Sequence, residues 1–89
     1  MKTKLITYTL NNPNDYSILK EHITSYPNWA KIMPRVWIIN TDESSVQIRR
    51  NVSSSVNNRG KFFVVDVTGR AWGSYGLEPD INEWIKTNL

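Results

Sequence analysis

The sequence predicts an α+β domain built on one antiparallel sheet, and three observations support that prediction. Residues 3–10 alternate with the period of two that a strand requires, and residues 61–68 are rich in β-branched and aromatic side chains. Residues 36–39 are apolar without alternation, as expected for a strand covered on both faces. Stretches with helical spacing separate these strands. The order strand, helix, strand, strand, helix, strand is that of a ferredoxin-like βαββαβ sandwich, an antiparallel sheet with helices on one face.

The first strand and the first helix are separated by a strong turn signal. The strand over Thr3–Leu10 ends at residues 11–14, Asn-Asn-Pro-Asn, because proline cannot donate to a sheet ladder and asparagine favours turns. Asn14 or Asp15 is expected to cap the helix. That helix runs over about Tyr16–Tyr26, with its apolar side chains on one face.

The middle of the chain is predicted to form a strand pair and a second helix. Trp29–Met33 and Arg35–Asn40 are strands separated only by Pro34, so their connection must be tight or a bend in one continuous strand. Residues 44–47, Ser-Ser-Val-Gln, have the spacing of a capping box. They open a helix over about Ser44–Val56.

The last third of the chain supplies one more strand and an extra C-terminal helix. Residues 57–60 form a turn before the strand Lys61–Thr68, and the glycine-rich stretch Gly69–Gly76 is a loop. Pro79 at the first helical position, followed by acidic residues in the first turn, opens the final helix. The helices bury one sheet face, so the other face needs a cover, and a second copy of the chain is an obvious candidate.

Composition limits the possible functions before any motif is considered. The 89 residues allow a single domain, 1–89, with a small core. The chain has no cysteine, which excludes disulfides and cysteine-based zinc sites, and its single histidine, His22, is expected at the edge of the core with a hydrogen-bond partner. No apolar run is long enough for a membrane span, and the start has no secretory segment. A cytoplasmic protein without membrane contact is expected.

Positive charge is concentrated in the middle of the chain. The net charge is +3, but residues 31–70 hold seven basic and three acidic side chains, and the tail is acidic. A basic surface of this kind suits contact with nucleic-acid phosphates, and it equally suits an ordinary solvated surface. The predicted nucleic-acid contacts are basic residues on the second helix, in the turn after it, on the last strand and in the last loop: Arg49, Arg50, Arg59, Lys61 and Arg70.

Other candidate residues each have a structural alternative. Asp66 is the one carboxylate within an apolar strand, so it is either a metal ligand or general base of raised pKa, or the partner of a lysine or arginine on a neighbouring strand. Asp42 and Glu43 lie at a predicted helix start, which favours negative charge. Trp72 and Tyr75 either stack exposed bases or, as we favour, pack over the core or an interface.

Several segments resemble one protein family. The segment Tyr8-Thr9-Leu10-Asn11-Asn12-Pro13-Asn14-Asp15-Tyr16 is similar to the end of the first strand and the following turn in the small ferredoxin-fold proteins of CRISPR spacer acquisition, an endoribonuclease-like family. Shorter similarities extend over nearly the whole chain: Val36-Trp37-Ile38-Ile39, Ile48-Arg49, Lys61-Phe62-Phe63-Val64-Val65, Ala71-Trp72-Gly73 and Glu83-Trp84-Ile85-Lys86.

The resemblance implies a homodimer formed through the open sheet faces, contact with DNA or RNA, and a place in a larger acquisition complex. It also implies a metal-dependent nuclease ancestry, in which an aspartate at the end of the first strand helps to hold Mg²⁺. Thr9 occupies that position here, and a neutral hydroxyl is a poor ligand for Mg²⁺. Asp15 and Asp66 are the carboxylates that could approach the site instead.

The sequence therefore predicts a homodimeric, CRISPR-associated-like protein that binds the nucleic-acid backbone and has weak or no metal-dependent nuclease activity. The alternative is a non-enzymatic protein-binding, assembly or regulatory module, which the aromatic residues Trp72, Tyr75 and Trp84 would suit. A third class, a small toxin-like ribonuclease, rests on the shared fold alone.

Overall fold

The computed structural model describes all 89 residues and contains the predicted elements in the predicted order. The strands are β1 (Lys2–Leu10), β2 (Trp29–Met33), β3 (Val36–Thr41) and β4 (Gly60–Asp66). The helices are α1 (Tyr16–Thr24), α2 (Ser45–Ser55) and α3 (Pro79–Asn88), and a 3-10 turn at Pro13–Asp15 leads into α1. The predicted α+β fold class is confirmed.

The four strands form one sheet in the order β2-β3-β1-β4, and every neighbouring pair is antiparallel. In the central strand β1, Ile6 lies opposite Trp37 of β3 and Val64 of β4. This strand order, with α1 and α2 connecting strands that are not neighbours, is consistent with a ferredoxin-like fold that carries an additional C-terminal helix.

One face of the sheet packs against α1 and α2 and holds the main core. Alternation along β1 and β3 directs Ile6, Tyr8, Trp37 and Ile39 to this face, where all four are buried. The helices contribute the rest of the cluster, Leu19, Ile23, Ile48, Val52 and Val56, all without exposed surface. We call this the helix face. Burial of aliphatic side chains at this density is the principal source of stability in a domain of this size.

The opposite face, here the second face, is covered in part by α3 and residues 67–78. Leu5 and Ile38 are cross-strand partners that point to this side, and with Ile85 and Leu89 they line a cavity of about 310 Å³. Trp84 Nε1 donates a hydrogen bond of 2.9 Å to the Asn28 side chain, which ties α3 to the segment before β2. The chain therefore supplies its own cover for the half of the second face near β2 and β3.

The remaining half of the second face is bare. It consists of the last part of β1 and the edge strand β4, where Phe63 is 60% exposed and Val65 is also exposed. No other element of the chain covers this strip of the sheet. No helix of the protein has the length and apolar character needed to cross a bilayer.

The predicted ends of the elements lie within one residue of the observed ones, except that α1 and β4 each end two residues early. β4 ends at Asp66 rather than at residue 68, because the Asp66 carboxylate accepts hydrogen bonds from the Thr68 amide at 2.9 Å and the Thr68 hydroxyl at 2.6 Å, which turns the chain. Asp15 occupies the N-cap position of α1, as one of the two predicted alternatives, but its side chain makes no capping hydrogen bond, and Asn12 caps the preceding 3-10 turn. Ser44 caps α2 as its sequence spacing predicts.

Candidate nucleic-acid interface

The free edge of β4, where the bare strip of the second face meets α2, brings together an aromatic ring and two cations. Phe63 and Lys61 on β4 line a shallow depression of about 230 Å³ together with Thr7 and Thr9 of β1. On its other side, Phe63 lines a second depression of about 250 Å³ with Arg49 and Val46 of α2. We use the name Phe63 patch for the following five residues around the two depressions: Thr9, Val46, Arg49, Lys61 and Phe63.

Sequence alternation places each member of the patch. In β4, Phe62 and Val64 turn to the helix face, so Phe63 between them must face the opposite side. In α2, Ile48 is fully buried in the core, and the next residue, Arg49, is therefore directed away from it beside the edge strand. The exposed ring is thus a consequence of strand geometry, with no helix above it.

The two cations of the patch are free of acidic partners. The protein has four ion pairs, and neither Arg49 nor Lys61 takes part in any of them. A guanidinium and an ammonium exposed beside an aromatic ring present only hydrogen-bond donors and positive charge to a ligand. The electrostatics of the patch therefore favour an anionic partner.

Arg59, another predicted contact, is engaged within the chain. Its guanidinium binds the Asp15 carboxylate through two hydrogen bonds, of 2.9 and 3.1 Å. The Arg59 guanidinium holds the pKa of Asp15 below its usual value, and Asp15 in turn raises the pKa of Arg59. Asp15 is buried, so this pair fastens the turn before α1 to the turn before β4.

The structure separates the remaining predicted contacts from the patch. Arg50 is exposed on α2 and forms no ion pair. Arg70 follows the far end of β4 and lines the cavity under α3. Of the five predicted basic residues, only Arg49 and Lys61 lie beside the same exposed ring.

Thr9 and Asp66 do not form a joint site. Thr9 pairs with Lys61 near one end of the β1–β4 ladder, whereas Asp66 pairs with Lys4 near the other end and on the opposite face. Five residues of strand separate the two ends, which is ~17 Å at the rise of an extended chain. No group of three His, Cys, Asp or Glu side chains is arranged to hold a metal ion. The donors near Thr9 do not fit Mg²⁺.

Asp66 is a structural carboxylate rather than a base of raised pKa. Hydrogen bonds from the Thr68 hydroxyl and amide, with a smaller contribution from the Lys4 ammonium at 3.3 Å, lower its pKa to about 2. The alternative of a metal ligand or general base with a raised pKa is therefore wrong for the pKa. Its alternative, a pair with a lysine on the neighbouring strand, is what the structure contains.

The remaining candidate residues, Glu43, His22, Trp72 and Tyr75, lie outside the Phe63 patch. Glu43 accepts a hydrogen bond of 2.7 Å from the Tyr26 hydroxyl, and burial followed by this carboxylate raises the pKa of Tyr26. His22 packs edge-on against Tyr26, but its buried Nε2 has no hydrogen-bond partner, contrary to expectation. Trp72 and Tyr75 both border the cavity under α3, but Tyr75 is fully exposed and does not pack over the core.

Phe63 is not among the residues that the sequence marked as candidates. The alternation in β4 assigns Phe63 to the sheet face opposite the helices, and this pattern alone predicts an aromatic side chain on the face that lacks α1 and α2. What the alternation does not reveal is whether α3 covers that part of the sheet. The structure shows that it does not.

Comparison with known proteins does not identify this chain. No protein-family model, no curated protein and no solved structure matches it. The fold assignment therefore rests on the element order and strand pairing described above.

Proposed function

We propose that the protein binds single-stranded nucleic acid at the Phe63 patch, through backbone phosphates and one stacked base, without metal-dependent cleavage. The observation that carries this proposal is the exposed Phe63 ring with an unpaired cation on each side. A base in a duplex is already stacked on its neighbours, whereas a single strand can place one on the ring.

The two kinds of contact make separate energetic contributions. Stacking of one base on an aromatic side chain contributes ~1–3 kcal/mol and tolerates any base. Two phosphates neutralised by Arg49 and Lys61 should make the logarithm of affinity fall by about 1.4 for each tenfold rise in salt, from a slope of roughly 0.7 per contact on single strands. Binding is thus expected to be independent of sequence and strongly dependent on salt.

We expect no metal-dependent cleavage because no carboxylate near Thr9 is available to hold Mg²⁺. Mg²⁺ is usually held through one or two carboxylates together with substrate phosphates. The patch itself contains no carboxylate, Asp15 is committed to Arg59, and Asp66 lies at the other end of the strand. A divergent member of the CRISPR-acquisition family that has kept binding and lost metal chemistry would have these properties.

Fluorescence anisotropy of labelled single-stranded and duplex DNA and RNA, at low and high salt, tests the proposal. Phe63→Leu keeps an apolar side chain but removes the ring, and Arg49→Gln with Lys61→Gln removes both charges. Both variants should weaken single-strand binding, and the charge variant should also flatten the salt dependence. Lys20→Gln, on the exposed side of α1, is the matched control.

Two results would reject the proposal. One is the lack of measurable binding to all four probes at low salt. The other is wild-type affinity in both the Phe63 and the Arg49/Lys61 variants, which would place any binding elsewhere. Addition of Mg²⁺ should not produce cleavage products, and Mg²⁺-dependent cleavage abolished by Asp15→Asn or Asp66→Asn would overturn the non-nuclease part.

A second candidate, a protein-binding or assembly module, is favoured by the edge strand. β4 has one unpaired edge, and exposed Val46, Phe63 and Val65 lie along it. Such an edge can receive a strand from another chain, including a second copy of this one. Sedimentation of the purified protein tests the homodimer, and co-purification with and without nuclease treatment tests other partners, since a partner retained after nuclease treatment favours this class.

Membership of the CRISPR-acquisition family is tested by the position of the gene. An acquisition integrase gene and repeat arrays beside it would support membership and a place in the larger complex. An unrelated gene neighbourhood would favour the assembly or regulatory alternative.

A further inference from the structure

A second cleft lies on the helix face at the end of the sheet where β1 finishes. Its volume is about 340 Å³, and it opens between Tyr8, Tyr16, Lys31 and Arg35. Apolar walls come from Leu10 at the end of β1 and from the prolines of the two adjoining turns. This volume is at the small end of the range for ligand pockets. We call it the Lys31 cleft.

Every polar side chain that lines the Lys31 cleft is a hydrogen-bond donor. Lys31 Nζ donates one hydrogen bond, of 2.8 Å, to the Tyr16 hydroxyl and keeps its other protons for a ligand. The Tyr16 hydroxyl accepts in that bond, so its own proton is also free. The Tyr8 hydroxyl likewise accepts, from Trp37 Nε1 at 3.4 Å, and burial raises the pKa of Tyr8, which keeps it protonated.

The two cations of the cleft have no carboxylate partner. Neither Lys31 nor Arg35 takes part in any of the four ion pairs of the protein, and no acidic residue lines the cleft. The Lys31 ammonium is held in place by the Tyr16 ring, whose centroid is 5.1 Å away, and by the Trp37 ring at 5.5 Å. A positioned cation that lacks an internal counter-charge is suited to an external anion.

The backbone of Arg35 supports the same conclusion. Arg35 has a φ of 65°, a left-handed conformation that turns of this kind normally assign to glycine or asparagine. Strained positions of this sort occur preferentially where a side chain serves a ligand. Here the strain places a guanidinium at the mouth of the Lys31 cleft, whereas glycine would make the same turn without it.

We infer that the Lys31 cleft binds a phosphate monoester, with the phosphate between Lys31 and Arg35 and the organic part against the tyrosine rings and the proline walls. The two cations and the absence of a carboxylate select an anion, and guanidinium with ammonium matches the oxygens of a terminal phosphate. The ester is either a free mononucleotide or the 5′-phosphate of a strand, because both present the same group.

Nuclear magnetic resonance titration of the full chain with adenosine 5′-monophosphate, inorganic phosphate and adenosine tests this inference. The monophosphate should shift the amide signals of residues 8, 16, 31 and 35, inorganic phosphate should shift 31 and 35 more weakly, and adenosine should shift none. Arg35→Gln and Lys31→Gln should each weaken monophosphate binding by about ten- to a hundredfold, the loss expected for one charge-assisted contact. Lys20→Gln should bind as the wild type does.

Arg35→Gly separates a binding role from a structural one. Glycine adopts the left-handed conformation without a Cβ penalty, so this variant should unfold at a higher temperature while it loses monophosphate binding. A 5′-phosphorylated oligonucleotide that binds more tightly than its 5′-hydroxyl twin identifies the strand end as the source of the ester, and equal binding identifies a free nucleotide.

The inference is overturned if the monophosphate shifts no signal in the cleft, if adenosine binds as tightly as its monophosphate, or if Arg35→Gln binds as the wild type does. These outcomes are independent of the Phe63 patch, which is measured with other variants and shares no lining residue with the Lys31 cleft.

Discussion

The two faces of the sheet are built from the same strands and differ in how completely they are covered. The helix face carries nine buried residues beneath two helices, and each of its aliphatic members has no exposed surface. The second face has one helix, a cavity of about 310 Å³ and a bare strip. Burial is complete in the core of the helix face, whereas the second face leaves the Phe63 ring exposed beside Lys61.

The difference arises from how each covering element is attached. α1 and α2 are each joined to strands at both ends, so the chain must lay them on the sheet. α3 follows a loop without regular structure and is held by a few side chains, including Asn28 and Ile85. The helix face should therefore determine global stability, and α3 should open more readily than the rest of the fold.

The largest expected effect compares one aromatic residue of the helix face with one from the loop before α3. Trp37→Ala removes a buried side chain of the helix face and should lower the free energy of unfolding by ~3–5 kcal/mol. Tyr75→Ala removes a fully exposed side chain of the 67–78 segment and should change it by less than about 0.5 kcal/mol. Urea denaturation followed by circular dichroism measures both, and similar costs would contradict the division.

The next effect compares the same substitution on two helices. Ile48→Ala on α2 and Ile85→Ala on α3 both truncate buried side chains, for which the cost is ~2–5 kcal/mol. Ile48 should fall near the upper end of that range because it is enclosed by core residues. Ile85 should fall near the lower end because it already borders a cavity.

Hydrogen exchange on the Ile85→Ala variant refines this comparison. Amides of α3 should exchange through a local opening, with faster exchange than in the wild type, while amides of β1 and β3 keep the protection set by global unfolding. Uniform loss of protection across the sheet and α3 would show that α3 belongs to the same cooperative unit as the helix face.

A smaller effect concerns the polar attachment of α3. Asn28→Ala removes the acceptor of the Trp84 indole hydrogen bond and the donor of a 2.6 Å bond to the Asn88 side chain. At ~0.5–1.5 kcal/mol for each bond, the variant should lose about 1–3 kcal/mol of stability. Asn11→Ala, an exposed asparagine in the turn after β1, is the control and should be close to neutral. A neutral Asn28→Ala would show that the two hydrogen bonds of Asn28 contribute nothing to the attachment of α3.

Sequence was sufficient for features encoded by short-range periodicity. Alternation placed β1 and β4 within two residues of their observed ends, and the Ser44 spacing located the start of α2. A helical stripe reveals which side of α3 is buried but not which sheet face receives it, because that choice depends on contacts far along the chain. The sequence predicted that a second copy of the chain would cover the second face of the sheet, but α3 covers part of that face.

The candidate site was less predictable than the fold. Charge counting grouped five basic residues, yet Arg59 is taken by Asp15, which lies 44 positions away in sequence, and Arg70 belongs to the other end of the sheet. The same count included Lys31 and Arg35. It did not indicate that they share a cleft with Tyr8 and Tyr16, because that proximity arises only in the folded sheet. Long-range pairing of this kind leaves no local signature.

The smallest expected effect concerns the Asp66 carboxylate at the end of β4. Because the pKa of Asp66 falls from the ordinary 3.8 to about 2 in the folded chain, its contribution to stability is complete above pH 3.8 and is lost as the pH falls toward about 2. Asp15, whose pKa is also lowered, adds loss in the same direction. Asp66→Asn should flatten the fall of the urea midpoint over this range, by at most the linkage of one proton, while Asp80→Asn should leave it unchanged. An equally steep fall in Asp66→Asn would mean that Asp66 is not held by Thr68 and Lys4 in solution.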